Sequence, residues 1–263
     1  LAYGLLSARW LSHTAPWPFT REHIPRLLPT TTPFLAALFN RLVGTHLGVD
    51  LDWLVVDIIA VLADTPVHEV FATPDGEAIE APAIHFYARF LDEYAPQLRK
   101  QRGVYYTPDP VVSYIVNTAH SALQERFGLR LGLADTTTWA DFAQTRGIPV
   151  PKDVRPSEPF VQILDPATGT GTFLLRVIEV IHATMMREYT DRGHDPARRL
   201  ELWRAYVREH LLPRVHGFEV MVAPYMVCHL RLGLALERTG FVFGRGEQDG
   251  DERLRVYWTD TLQ

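Results

Sequence analysis

Between Phe160 and Ile181 the chain reads FVQILDPATGTGTFLLRVIEVI, an apolar run, an acid, a glycine loop and a helical repeat in that order. The spacing predicts a buried strand over Val161 to Leu164 that ends at Asp165, with Pro166 stopping further pairing. Gly169 and Gly171 carry no Cβ, so the loop can take positive φ and let a ligand lie against the backbone. A helix is expected from about Thr172, with Phe173, Leu174, Val177, Ile178, Ile181 and Met185 forming its apolar stripe. This is a βα unit whose loop leaves the carboxyl end of a strand, the place where open α/β sheets bind ligands.

The residues of the loop discriminate among ligands. A phosphate-binding P-loop needs Lys and then Ser or Thr after its last glycine, whereas Gly171 is followed by Thr172 and Phe173. A dinucleotide fingerprint needs a small residue three places after the second glycine, and Leu174 stands there. The Asp165 carboxylate would also repel a pyrophosphate. S-adenosylmethionine is the opposite case, because it carries an ammonium and a sulfonium that an acid attracts.

The stretch Asp165-Pro166-Ala167-Thr168-Gly169-Thr170-Gly171-Thr172-Phe173-Leu174 resembles the cofactor motif of the amino-methylating DNA methyltransferases, commonly DPACGSGTFL. Thr168 and Thr170 replace the usual Cys and Ser, small for small. The resemblance implies a Rossmann-like S-adenosylmethionine-dependent methyltransferase fold on a mainly parallel sheet.

Size and composition agree with one such α/β domain plus an appendage: the chain has 263 residues and 47% hydrophobic residues. Nothing approaches the roughly 20 apolar residues of a membrane span, and the start lacks the pattern of a signal peptide. The single cysteine, Cys228, excludes an internal disulfide or cysteine-based zinc site and fits a reducing cytoplasm. The first residue is Leu1 rather than Met, so a piece of a longer protein is expected. A net charge of −5 has the wrong sign for gripping DNA phosphates over the whole surface. Arg99, Lys100 and Arg102 form the densest basic cluster, able to touch a phosphate or simply end a solvated helix.

Residues 1 to 96 read as a helical segment, punctuated by prolines, with helices expected over Phe34 to Leu42, Leu51 to Leu62 and Pro82 to Tyr94. No catalytic constellation occurs there. The domain that binds the cofactor is expected over residues 97 to 263. At its start Gly103-Val104-Tyr105-Tyr106-Thr107-Pro108 is extended, with Thr107 as N-cap, or Asp109-Pro110 as an alternative start two residues later. Val111, Val112, Ile115, Val116, Ala119 and Leu123 would be the buried face of the helix that follows. The segment resembles the motif before the cofactor loop in adenine-N6 methyltransferases of restriction–modification systems. That resemblance implies that Tyr105, Tyr106, Thr107 and Pro108 line the cofactor pocket.

Leu129 to Pro159 is polar and proline-rich and reads as a connector with one short helix near Trp139 to Gln144. A helix over Leu200 to Leu211 follows the glycine-loop helix, then a strand over Val215 to Glu219 and a helix over Val220 to Glu237. The two oxygens of Glu219 are suited to accept both hydroxyls of a ribose, bonds worth roughly 1.5 to 3 kcal/mol each when charge-assisted. GFEVMVAPYMVCHLRLGLAL also resembles the equivalent segment of the type ISP restriction–modification enzymes. A third strand, Leu254 to Trp258, leads to Asp260, which by the resemblance contacts the adenine amino group; Val220 and Leu262 complete the implied pocket. Three strands each followed by an acid would bring Asp165, Glu219 and Asp260 to one crevice.

Methylation of adenine N6 needs a group that holds the flipped base, and in the family this is Asn or Asp, Pro, Pro and an aromatic. The two asparagines, Asn40 and Asn117, are not followed by Pro-Pro, and neither Asp109-Pro110-Val111 nor Asp165-Pro166-Ala167 fits. The expectation is therefore the cofactor half of a DNA adenine-N6 methyltransferase of type ISP-like or type IIG-like restriction–modification enzymes, inactive alone. DNA would be contacted mostly through regions outside this chain, where nuclease and target-recognition domains would lie. The rival readings are a non-catalytic module that binds S-adenosylmethionine or another protein, and an RNA or protein methyltransferase.

Overall fold

The computed structural model describes residues 2–13, 17–27, 40, 49–70, 107–243 and 252–260, and the chain divides into two compact units, 1–106 and 107–263. In the first unit the described helices are α1 (Ala2–Leu11), α2 (Ile24–Leu27), α3 (Val49–Asp64) and α4 (Val67–Val70). Leu5, Leu6, Ala8, Ile24, Leu27, Val55 and Val67 are its buried apolar residues among those described. Arg9 ties the ends together: its Nε donates to the Leu62 carbonyl at 2.8 Å and an Nη to that of Ala63 at 3.2 Å. Those carbonyls belong to the last turn of α3, where a cation meets the negative end of the helix dipole. The helix expected over Leu51 to Leu62 is thus found. Most of the one over Phe34 to Leu42, the one over Pro82 to Tyr94, and Arg99, Lys100 and Arg102 lie outside the described residues.

The second unit is α/β. It runs α5 (Asp109–Phe127), a 3₁₀ turn (Gly132–Ala134), α6 (Trp139–Arg146), β1 (Ile163–Asp165), α7 (Thr172–Asp191), α8 (Pro196–Tyr206), β2 (Val215–Glu219), α9 (Val222–Arg238) and β3 (Arg255–Trp258). The sheet order is β1-β2-β3 and both pairings are parallel, with Asp165 opposite Gly217 and Glu219 opposite Trp258. Parallel neighbours require crossovers, and α7 with α8, then α9, supply them. The alternation of apolar runs with helical repeats after Phe160 therefore produced the expected sheet.

The stripe on α7 is buried at Leu174, Val177, Ile178, Ile181 and Met185, with Phe173 half-buried. With Trp203, Leu211, Leu232, Leu236 and Phe241 these residues make the core, each large apolar side chain contributing roughly 1.5 to 3 kcal/mol. Val215, Gly217 and Glu219 of β2 point to the buried side of the sheet, and His216 and Phe218 are half-buried on the other.

Five expectations are corrected. The first strand starts at Ile163, not Val161, and its Leu164 is 55% exposed, because the two-residue period turns it to the face that the described helices leave open. Helix α5 begins at Asp109 with Pro108 at the N-cap and no side-chain cap, so Thr107 does not cap it. On α5 only Val112 and Val116 are buried; Val111, Ile115 and Ala119 are exposed, since α7 and the 3₁₀ turn meet a single ridge of the helix. Finally, Leu129 to Pro159 is more than a connector. Leu129, Leu133, Ala134, Phe142 and Ala143 are buried, and Phe142 stacks on Phe160 at 3.8 Å between ring centroids with Trp139 edge-on at 4.7 Å from Phe160. Helix α8 also starts earlier than expected, at Pro196, because Asp195 caps it by accepting from the Arg198 N–H at 2.8 Å; a wide turn, Val207–Leu211, then carries the chain to β2.

Among the described residues no helix is long and apolar enough to cross a membrane.

Candidate functional site

The loop after β1 is shaped by backbone rather than by side-chain bulk. Gly169 and Gly171 have φ of 53° and 82°, a region costly for any residue with a Cβ. Around Gly169 a Cβ would meet nothing within 4 Å among the described residues, which leave the chain open there. Gly171 is different, for a Cβ on it would lie 2.7 Å from the Cys228 Sγ of α9. The loop is also fastened to β2. The Thr168 N–H and hydroxyl both donate to the Phe218 carbonyl, at 3.0 and 3.2 Å, and Thr168 is buried.

Asp165 ends β1 half-buried. Its Oδ1 accepts the Ala167 N–H at 3.1 Å, while Oδ2 is buried without a hydrogen-bond partner among the described residues. Burial pushes its carboxyl above the usual range, and the Ala167 N–H opposes this only in part. A carboxylate oxygen in that condition gains from any cation or donor brought to it.

Glu219, at the end of β2, is more completely used. One oxygen accepts the Gly169 N–H and the other the Met221 N–H, each at 2.8 Å, so this acid holds the glycine loop to the start of α9. Each carboxylate oxygen has two lone pairs, so one on each remains for a further donor. Val220 follows with its side chain 59% exposed, and its carbonyl accepts the Trp258 indole N–H at 2.8 Å. Asp260 lies exposed two residues beyond β3, past the same carboxyl edge of the sheet.

Of the residues singled out from sequence, Asp165, Pro166, Ala167, Thr168, Gly169, Thr170, Gly171, Phe173, Glu219 and Val220 are gathered at the ends of β1 and β2. Thr107 and Pro108 stand at the start of α5, whereas Tyr105, Tyr106 and Leu262 lie outside the described residues. Three residues of the loop's surroundings were not anticipated: Gly217, Cys228 and Arg231. A Cβ on Gly217 would lie 2.4 Å from Thr168 Cγ2, so the strand needs glycine for the loop to approach; a glycine inside a strand pattern was the available signal. Cys228 is fully buried, and burial pushes its thiol up to about 12, so it packs rather than reacts. Arg231 donates from Nη1 to the Thr170 carbonyl at 3.1 Å, to the Thr170 hydroxyl at 3.2 Å and to the Thr172 hydroxyl at 3.0 Å. Its signal was a charge in the middle of the helix, with apolar Leu230 and Leu232 on either side of it.

No group of three or more His, Cys, Asp or Glu side chains among the described residues is placed to hold a metal ion. The arrangement suits a ligand that offers a cation to Asp165 and lies along the backbone at Gly169.

No family model matches the chain, and no curated protein matches it. Several solved structures do. The DrdV–DNA complex is similar with a TM-score of 0.54 at 18% identity, over 99% of this chain and 20% of that one. The ATP-dependent Type ISP restriction-modification enzyme LlaBIII bound to DNA gives 0.50 at 16% identity, over 98% of this chain and 14% of that one. A nuclease-deletion mutant of the Type ISP restriction-modification enzyme LlaGI, in complex with a DNA substrate mimic, gives 0.48 at 17% identity, over 98% and 16%. The chain spans a fifth or less of the length of each of these proteins, and the likeness is one of fold.

Proposed function

We propose that the chain is the S-adenosylmethionine-binding part of a DNA adenine-N6 methyltransferase from a restriction–modification enzyme, with the Rossmann-like fold of that class. The single observation that carries the reading is the pair at the end of β1: a buried Asp165 oxygen with no partner among the described residues, beside a glycine loop open at Gly169. The fold likeness to LlaBIII and DrdV supports it, as does the loop's resemblance to the methyltransferase motif.

In this reading Asp165 takes the ligand's ammonium and Gly169 lets the ligand lie against the backbone. Glu219 accepts the ribose hydroxyls through its two remaining lone pairs, so that one acid orders both loop and ligand. Val220, Asp260 and Leu262 flank the adenine, and Tyr105 to Pro108 line the opposite side. S-adenosylmethionine, when bound, supplies a methyl group on a sulfonium. Residues 1–96 would couple this domain to a nuclease, and DNA would be held mainly by parts of the larger protein, in the cytoplasm.

No Asn-Pro-Pro-aromatic tetrad occurs in the 263 residues. Several kcal/mol of transition-state stabilisation are therefore missing, at about 1.4 kcal/mol per tenfold in rate, and the chain alone should methylate nothing. Calorimetry with S-adenosylmethionine tests the first claim: binding is expected for the parent chain and lost with Asp165→Asn, and a parent chain that binds no ligand would sink the reading. A tritium-transfer assay on duplex DNA tests the second. Label incorporated by the chain alone, and abolished by Asp165→Asn, would place the catalytic residues within it.

A further inference from the structure

The glycine loop is held from below by one face of α9, and we infer that Arg231 is a positioning residue that sets the loop's ligand-ready shape. This rests on the reading of the loop as a cofactor cradle. Cys228 and Arg231 are three residues apart and so share a face of the helix. The first presses on Gly171, and the second donates to Thr170 and Thr172 on either side of it. Together they fix the residues that turn the chain from β1 into α7. The two opposite edges of the loop are thereby tied to different elements: Gly169 to Glu219 at the end of β2, and Thr170 to Thr172 to Arg231 on α9.

Helix stability does not account for this cation. Thr172 is the first residue of α7, and a positive charge beside a helix N-terminus opposes the dipole, where an acid would favour it. The acceptors of Nη1 in the loop are neutral oxygens, so what the guanidinium contributes to the loop is a fixed geometry for Thr170 and Thr172. A long side chain on a half-buried helix position can otherwise carry its charge out to water. Arg231 holds the loop in the shape that leaves Gly169 open, and removing it loosens Gly169 to Thr172 without touching Asp165.

Hydrogen exchange on the ligand-free 263-residue chain, followed by calorimetry with S-adenosylmethionine and S-adenosylhomocysteine, tests this. Arg231→Met should speed exchange at the amides of Gly169 to Thr172 and leave those of β2 and the second half of α7 unchanged. It should weaken both ligands about tenfold with their ratio unchanged, since shape rather than the sulfonium charge is affected. Arg231→Lys should recover part of both effects. Should Arg231→Met fail to fold, Thr172→Val removes one acceptor and should move the same amides less. Unchanged loop exchange in a folded variant, or ligand affinities within about twofold of the parent, overturns the inference. If the parent binds neither ligand the cofactor reading fails, and the exchange arm alone decides whether Arg231 holds the loop.

Discussion

Two buried polar clusters in the second unit are built on opposite plans. Around Arg214, which is 1% exposed, every group named is satisfied by the chain itself: Nη2 donates to the Tyr206 hydroxyl at 2.7 Å, Nε to the His210 carbonyl at 2.6 Å, and Nη1 to the Asp135 carbonyl. The Tyr206 hydroxyl in turn donates to the Ala134 carbonyl at 2.8 Å, and burial pushes its pKa up to about 12. Around Asp165 one oxygen is left buried without a partner among the described residues, next to two glycines at positive φ. The first cluster joins α8 and the turn after it to the segment before α6, whereas the second holds unsatisfied capacity at the edge of the sheet. A closed network stabilises a fold, and an open one costs stability until something binds.

The largest effect should come from breaking the closed cluster. Arg214→Met takes a donor from two carbonyls and from the Tyr206 hydroxyl oxygen in the interior, and at roughly 1 to 3 kcal/mol for each lost partner the fold should weaken by about 4 kcal/mol. Urea unfolding measures it. A loss of less than about 1 kcal/mol would mean that water replaces the guanidinium and that the cluster is not closed.

Acid separates buried groups of the two kinds. His229 is fully buried under β3, its Nε2 at 3.1 Å from the Val256 carbonyl, and burial lowers its pKa to about 4. Its folded value lies below the unfolded one of about 6.5, so the unfolded state binds the proton more readily and stability falls as pH drops from about 6.5 toward 4. Between pH 7 and 4.5 the loss should be about 2 to 3 kcal/mol, and His229→Gln should flatten that slope. Asp165 has the opposite sign, since its raised pKa makes the folded state the better proton acceptor. Protonation there favours the fold but removes the charge that a cationic ligand needs, so affinity should fall with acid before the protein unfolds. Calorimetry across pH 7 to 5, with circular dichroism as the control, reads this.

Gly171→Ala should cost about 2 kcal/mol, because the left-handed backbone and the Cys228 sulfur both oppose a Cβ. Gly169→Ala pays only for the backbone, its surroundings being open, and should cost about 1 kcal/mol. A melting curve for each variant tests the order, and equal losses would show that the Cys228 contact relaxes freely.

The smallest change in stability should accompany the largest in binding. Asp165→Asn keeps an acceptor for the Ala167 N–H and removes a buried charge, so melting should be unchanged or slightly higher. If it melts well below the parent, Asp165 is a structural acid and the contrast between the two clusters dissolves.

Much of this was legible in the chain of residues. The glycine loop between an apolar run and a 3.6-residue repeat dictates strand, turn and helix, because only glycine takes those φ values and only a helix buries Leu174, Val177, Ile178 and Ile181 together. Strand β2 was found with its bounds, since Val215 to Glu219 is short and followed by a helical pattern. Periodicity failed on α5, where it marks which residues can be buried but not how much of the stripe a neighbour covers. It failed again at Leu129 to Pro159, where a polar composition hid two aromatic rings, Trp139 and Phe142, that pack with Phe160.

Sequence by itself determined the local order of elements and the acid at or just past the end of each strand, because these follow from dihedral preference and the spacing of apolar side chains. Tertiary structure alone decided that Glu219 ties down Gly169, that Arg231 reaches Thr170 and Thr172 from about sixty residues away, and that Asp165 keeps an oxygen without a partner among the described residues. Such bonds depend on which strands become neighbours and on how closely a helix approaches a loop, and separation along the chain carries no record of either.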